Sequence, residues 1–373
     1  MQTIDLKLLK ELTAIKDEPC ISIYMPTHRV HPANATDPVS FKNLYKKALQ
    51  YSKENNLSEH EKLILPLEKL IDDKSFWDYN NEGLAIFVSA QGMQILRLPQ
   101  KVQELVCVAD SFCVKPLFKL HHENQPYYLL ALALDDVQLY QGDKYQLEKL
   151  DIKDKVPTSM KEALGDELTD NHLHASVVQG AGLHGYMEKS QEEEIDMERF
   201  FRKVDQAILE HFPIPQDVPL LLAALPEHHN HFLRISKHTN FSPIHIQINP
   251  QSLSKSALLE KIQEVFDGIL DKRKKELLER YHLAVPENLS SLDIGDIVRD
   301  VLDGKVDVLC IENGKSIDGH IDVEGRKIIE SDGQHTDIVN ELACLAFNHG
   351  GSVITLDQEE MPSETGIFTI NRY

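Results

Sequence analysis

PLLLAAL (residues 219–225) is the feature that most constrains how this chain folds. The run is short and apolar throughout, is opened by a proline, and does not alternate, so it reads as a strand buried in a sheet. YYLLALAL (127–134) is a second such run, and VQLYQG (137–142) follows it across Asp135-Asp136 as its neighbour. Between these runs lies a helix pattern over Gln191–Phe212, with Met197, Phe201, Val204 and Ile208 on one stripe. Its opening Gln-Glu-Glu-Glu is the acidic first turn that a helix N-terminus favours. IHIQIN (244–249) is expected as a further strand, and 252–281 as a long, highly charged helix. Strands alternating with helices define an α/β protein of mixed sheets covered by helices.

The flanks repeat the alternation. Helical spacing over 4–12 leads to the strand CISIYM (20–25), which Pro26 ends. Helices follow over 41–54 and 58–73, the second kinked at Pro66, then a hairpin of 84–89 and 93–98 turned at Ala90–Gly92. After Val285-Pro286 the pattern is helix (294–302), strand VDVLCIE, hairpin GHIDVEGRKIIE, helix (336–348), then SVITL and IFTINRY. That order suits a small α/β/α sandwich. A chain of 373 residues exceeds what one core serves, and the breaks suggest three domains: 1–124, 125–284 and 285–373.

Charge narrows the function. Thirty-nine basic against 60 acidic residues leave a net −21, a field that repels polyphosphate and argues against autonomous binding to DNA or to RNA in general. A single RNA site then requires a local basic patch. Arg29, Lys42, Lys46 and Lys47 form one candidate group, and DKRKKELLER (271–280) another, although its interleaved acids suit a solvated helix face. The five cysteines are scattered without a CxxC pair, the pattern of buried reduced thiols. No 18-residue apolar run and no signal-peptide core appear, so a cytoplasmic protein without a membrane partner is expected.

The candidate chemistry concentrates in the middle third. VVQGAGLHGYMEKSQEEEID (177–196) sets Gly180, Gly182 and Gly185 between a strand-like run and the helix, with Gln179 and His184 among them. A loop so placed can present backbone N–H groups to an anion. Here GxGxxG and GxxxxGK[ST] are both absent, and Glu192–Glu194 oppose a phosphate, so no nucleotide cofactor is expected. His172 and His174 flank Leu173 on one strand face, and PEHHNH supplies His228, His229 and His231. Three imidazoles and a water would make a metal-dependent hydrolase, but neither spacing is diagnostic and HExxH is missing. No G-x-S-x-G elbow supports serine catalysis. The glycines of HGGS (349–352) suit a helix C-cap.

Four landmarks in order carry a family resemblance: SIYMPTHR (22–29), YYLLALALDDVQLYQGD (127–143), RFFRKVDQAILE (199–210) and LAFNHGGSVITL (345–356) followed by Met361-Pro362. Together they resemble the bacterial branch of the archaeo-eukaryotic class-1 release-factor superfamily, family 3, across the whole chain. The resemblance implies a three-domain architecture whose C-terminal α/β/α domain is similar to kink-turn-binding ribosomal proteins. It also implies ribosome and tRNA partners and a possible translational GTPase. In that superfamily the middle domain carries a Gly-Gly-Gln loop that promotes peptidyl-tRNA hydrolysis. Here the equivalent position reads Gly182-Leu183-His184, and Gln179 precedes the glycines. His184 could replace the glutamine as base or water orienter. Pelota-type relatives, which rescue ribosomes without the catalytic glutamine, fit the departure equally. Rescue, hibernation or quality control, a hydrolase using His184 or the histidine group, and a non-catalytic scaffold all remain open at this stage.

Overall fold

The structure is a computed structural model, and it describes residues 4–54, 58–167, 184–216, 218–242, 246–329 and 336–373. The first part builds a four-stranded sheet from β1 (Lys16–Pro26), β2 (Gly83–Ser89), β3 (Gly92–Leu98) and β4 (Leu105–Ser111), in the order β3-β2-β1-β4. Its neighbours all run antiparallel, where a mixed sheet was expected. The reason lies in the connections: a tight turn at Gly92 returns the chain from β2 to β3, and the two helices after β1 bring β2 back against it. Period-two patterning serves both faces of β1. Ile21, Ile23 and Met25 pack under the helices Asp37–Glu54 and Ser58–Ile71, while Cys20 and Tyr24 face a second cluster with Leu9 and Leu12. The helix Ser58–Ile71 continues through Pro66, which is exposed and spares the core a broken hydrogen bond.

The middle sheet comprises β5 (Tyr127–Leu132), β6 (Val137–Asp143), β7 (Gln146–Lys149) and β8 (Leu220–Ala224), ordered β7-β6-β5-β8. β5 and β8, the two apolar runs, pair in parallel, and every residue of β8 is buried. The helices His184–His211 and Pro226–Ile235 cover one face through Phe200, Phe201, Val204, Ile208 and Phe232. Leu258, Ile262 and Phe266 of the helix Lys255–Ala284 cover the other. IHIQIN, expected as a strand, contributes only a bridge between Ile246 and Ala223, residues 243–245 lying outside those described. After that bridge Ile248 N–H turns back to Ile246 O at 3.0 Å, which takes the backbone off the sheet edge.

The last part carries β9 (Val306–Glu312), the ribbon β10 (His320–Asp322) and β11 (Lys327–Ile329), β12 (Ser352–Leu356) and β13 (Ile367–Asn371). Its main sheet is β12-β9-β13, parallel to one side of β9 and antiparallel to the other. The helices Ile294–Leu302 and Ile338–Asn348 cover one face and Leu277 and Tyr281 the other, the layering expected of the sandwich. HGGS caps the helix Ile338–Asn348: Gly351 N–H donates to Ala346 O at 2.8 Å, and Gly350 holds φ +79°.

Two compact units result, one of residues 1–123 with 272–373, the other of 124–271. Within the first, Leu9, Leu12 and Phe118 share a hydrophobic cluster with Ile297, Leu309 and Leu342. The three-domain division at 124/125 and 284/285 stands as a proposal about how the chain is organised. No helix among the described residues is long and apolar enough to cross a membrane.

Candidate functional site

The candidate loop meets the described structure at one end. Gln179, Gly180 and Gly182, with the rest of 168–183, lie outside the described residues. His184 and Gly185 open the helix His184–His211, seven residues before the expected start at Gln191. Residues 184–190, HGYMEKS, hold no proline and one glycine, so nothing in them stops the helix from extending. Glu192–Glu194 therefore sit in the third turn, and no acidic residue occupies the first. They start about 12 Å along the axis from His184, at 1.5 Å per residue. A helix start carries four N–H groups without intrahelical partners and a positive dipole end.

Farther along, the same helix clasps Pro226–Ile235 with aromatic and polar contacts. Phe201, fully buried, meets the His228 ring edge-on at 5.8 Å between centroids and Phe232 at 5.7 Å. His231 Nε2 lies 3.5 Å from Glu194, and Glu198 receives Arg202 at 2.6 Å and faces Arg234 at 3.8 Å. Those hydrogen bonds and charges hold the Glu198 carboxyl below its usual range. Asp205, only 3% exposed, accepts from Ser236 Oγ and from Lys237 N–H at 3.0 Å. This carboxylate fixes the exit of the second helix. Its position four residues after Phe201, on the buried stripe, was the available sequence signal.

The histidines of PEHHNH divide by burial. His228 and His229 are buried, and desolvation lowers the pKa of both rings, opposed at His228 by Glu227. His238, near Asp205, is lowered by the same cause. All three are held neutral, as packed imidazoles are. His172 and His174 lie outside the described residues. Among the described residues no three His, Cys, Asp or Glu side chains converge to hold an ion.

Elsewhere, Cys20, Cys113, Cys310 and Cys344 are buried free thiols and Cys107 is partly buried. Burial pushes the Cys20 thiol up to about 12, so it is a poor nucleophile at neutral pH. In the landmark SIYMPTHR, His28 donates its N–H to Asp37 at 2.9 Å and sets Nδ1 2.8 Å from the other carboxylate oxygen. Asp37 is 2% exposed, so the pair pins the turn after β1 to the helix Asp37–Glu54.

The middle span, with its parallel pair β5 and β8 and the long helix His184–His211, is release-factor-like in sequence. Residues 126–305 match the family model of the bacterial archaeo-eukaryotic release factor family 3. No curated protein matches the sequence. Solved structures align at low identity. The archaeal translation termination factor aRF1 is 16% identical over 98% of this chain and 96% of its own, with a TM-score of 0.24. Archaeoglobus fulgidus Pelota is 11% identical over 99% and 92%, with a TM-score of 0.32. Dom34 of S. cerevisiae, a translation termination-like factor interacting with Hbs1, is 11% identical over 76% and 74%, with a TM-score of 0.36. At these TM-scores the pairings carry no argument about this chain.

Proposed function

We propose that this protein is a cytoplasmic, ribosome-associated translation factor acting in rescue, hibernation or quality control, with the 179–185 loop directed at the tRNA acceptor end. The observation that carries the reading is the family match over 126–305, because that span contains the loop and the helix it enters. A translational GTPase is the proposed delivery partner. Hydrolysis by Gly-Gly-Gln chemistry is not part of the reading, since Leu183 places a Cβ where a second glycine would let the backbone approach an ester.

Co-sedimentation with ribosomes, comparing the full chain with a variant lacking 179–185, tests the proposal. The full chain is expected in a ribosomal fraction and the deletion variant depleted from it. Absence of the full chain from every fraction, from stressed cells as well, sinks the reading and favours a scaffold.

One observation favours a second, narrower reading. His184 opens a helix whose N-terminal dipole would stabilise a developing oxyanion, the arrangement an ester hydrolase needs. Turnover of peptidyl-tRNA by the wild type, lost in His184→Ala, supports it; no turnover above the uncatalysed rate removes it.

A further inference from the structure

The sequence offers two basic groups, and each is ion-paired in part: in the first, Arg29 lies 3.0 Å from Glu82. On the helix Lys255–Ala284, Lys272 lies 3.7 Å from Glu276, Lys274 2.8 Å from Glu360 and Arg280 2.8 Å from Asp307. Those three charges are answered within the protein, while Arg273 and Lys275, both exposed, have no ion-pair partner among the described residues. On the helix Asp37–Glu54, Lys42, Lys46, Lys47 and Lys53 are all exposed, and none has an ion-pair partner among the described residues. In a chain of net −21, four lysines on a single helix without a carboxylate partner among the described residues form a patch.

Helix geometry sharpens the patch into a stripe. At 100° per residue Lys42, Lys46 and Lys53 fall within an arc of about 40° and span about 16 Å of axis. Lys47 flanks them. Val39, 63% exposed, is the large apolar side chain on this face, and no aromatic residue interrupts it. Glu68 acts on Tyr45 along the flank facing the helix Ser58–Ile71. Acids beyond about 8–10 Å are screened at physiological salt, so the patch keeps its own sign close to the surface despite the net charge.

We infer that the outer face of the helix Asp37–Glu54 docks on an RNA phosphate backbone through Lys42, Lys46 and Lys53. Lysines at this spacing on a rigid rod neutralise successive phosphates, and with no aromatic side chain to stack on bases the contact is independent of sequence. A lipid surface fits poorly, because an interfacial helix needs a broad apolar face beside its basic one. The inference rests on the ribosome reading for its choice of RNA over DNA.

The test is a salt titration of full-length protein against a labelled RNA hairpin, for the wild type, the triple variant Lys42→Gln/Lys46→Gln/Lys53→Gln and the triple Lys→Arg variant. The wild type is expected to bind with an affinity that falls steeply with salt. The Gln variant should bind at least about ten-fold more weakly, with its log–log salt slope reduced by about 2 to 3, and the Arg variant should restore both. All three positions are exposed, so an unchanged thermal melt verifies folding. Equal binding by wild type and Gln variant, or no wild-type binding at low salt, overturns the inference. So does tighter retention on phosphatidylserine-containing vesicles, or on a polyglutamate peptide, than on RNA. The two readings fail separately. Unchanged ribosome co-sedimentation of the Gln variant removes this face and leaves the factor; a wild type that binds the hairpin through these lysines yet never co-sediments with ribosomes does the reverse.

Discussion

At the scale of single residues, burial decides what the titratable groups do. His122, on the helix Lys115–Glu123, is pushed from 6.5 to about 4, first by burial and then by Arg273, His121 and Lys274. The folded state thus favours the neutral ring, and this stability is complete above pH 6.5 and lost as pH falls towards 4. A shift of that size corresponds to about 3 kcal/mol. Replacing His122 by Leu should flatten the acid limb of urea-midpoint stability between those pH values and change little above them; an unaltered limb would refute the assignment. His228, His229 and His238 are lowered in the same direction, so the unit of residues 124–271 should also weaken below pH 6.5. Phe201 packs edge-on against His228 in the clasp. Phe201→Ala should cost about 3–5 kcal/mol, read as a lowered denaturant midpoint with protection lost in the helix Pro226–Ile235.

Elements follow local pattern where that pattern is strong. The stripe Met197, Phe201, Val204, Ile208 marked its helix, and the apolar runs 127–134 and 219–225 became β5 and β8. Weak patterns were silent: β4, LVCVADS, neither alternates cleanly nor stays apolar, and it is a strand because β1 offers a ladder on that side. Helix termini were least legible, since a capping signal such as three glutamates is equally at home in a third turn. Gly142 in β6 illustrates a constraint of close approach. A Cβ there would lie 2.3 Å from Gln146 O, so Gly142→Ala should open the β6–β7 hairpin and destabilise by on the order of 2 kcal/mol, seen as faster amide exchange at 140–149. Wild-type exchange in the variant would show that the hairpin relaxes freely.

Across the whole molecule, the contacts joining the chain's two ends were invisible in the sequence. Asn340, 5% exposed, accepts from Val114 N–H at 2.9 Å and Lys115 N–H at 3.1 Å, and donates to Phe112 O at 3.0 Å. Lys115 in turn reaches Asp337 at 2.6 Å. Asn340→Ala strands two buried backbone groups and the part-buried Lys115 N–H and should cost about 3 kcal/mol. Because these bonds tie the first segment to the last, exchange protection in β2 and in β9 should fall together. A loss confined to one of them would favour independent first and third domains.

By itself the sequence determined the α/β class, the order of most elements and the release-factor-like middle span. These depend on local periodicity and short motifs, which neighbouring residues encode. Only the tertiary structure decided that residues 1–123 and 272–373 share one core, that His184 lies on a helix, and that the lysines of Asp37–Glu54 have no carboxylate partner among the described residues. Each of those is a contact, or a missing one, between residues far apart in the chain, and apolar burial and charge pairing are indifferent to sequence distance once the chain has closed on itself.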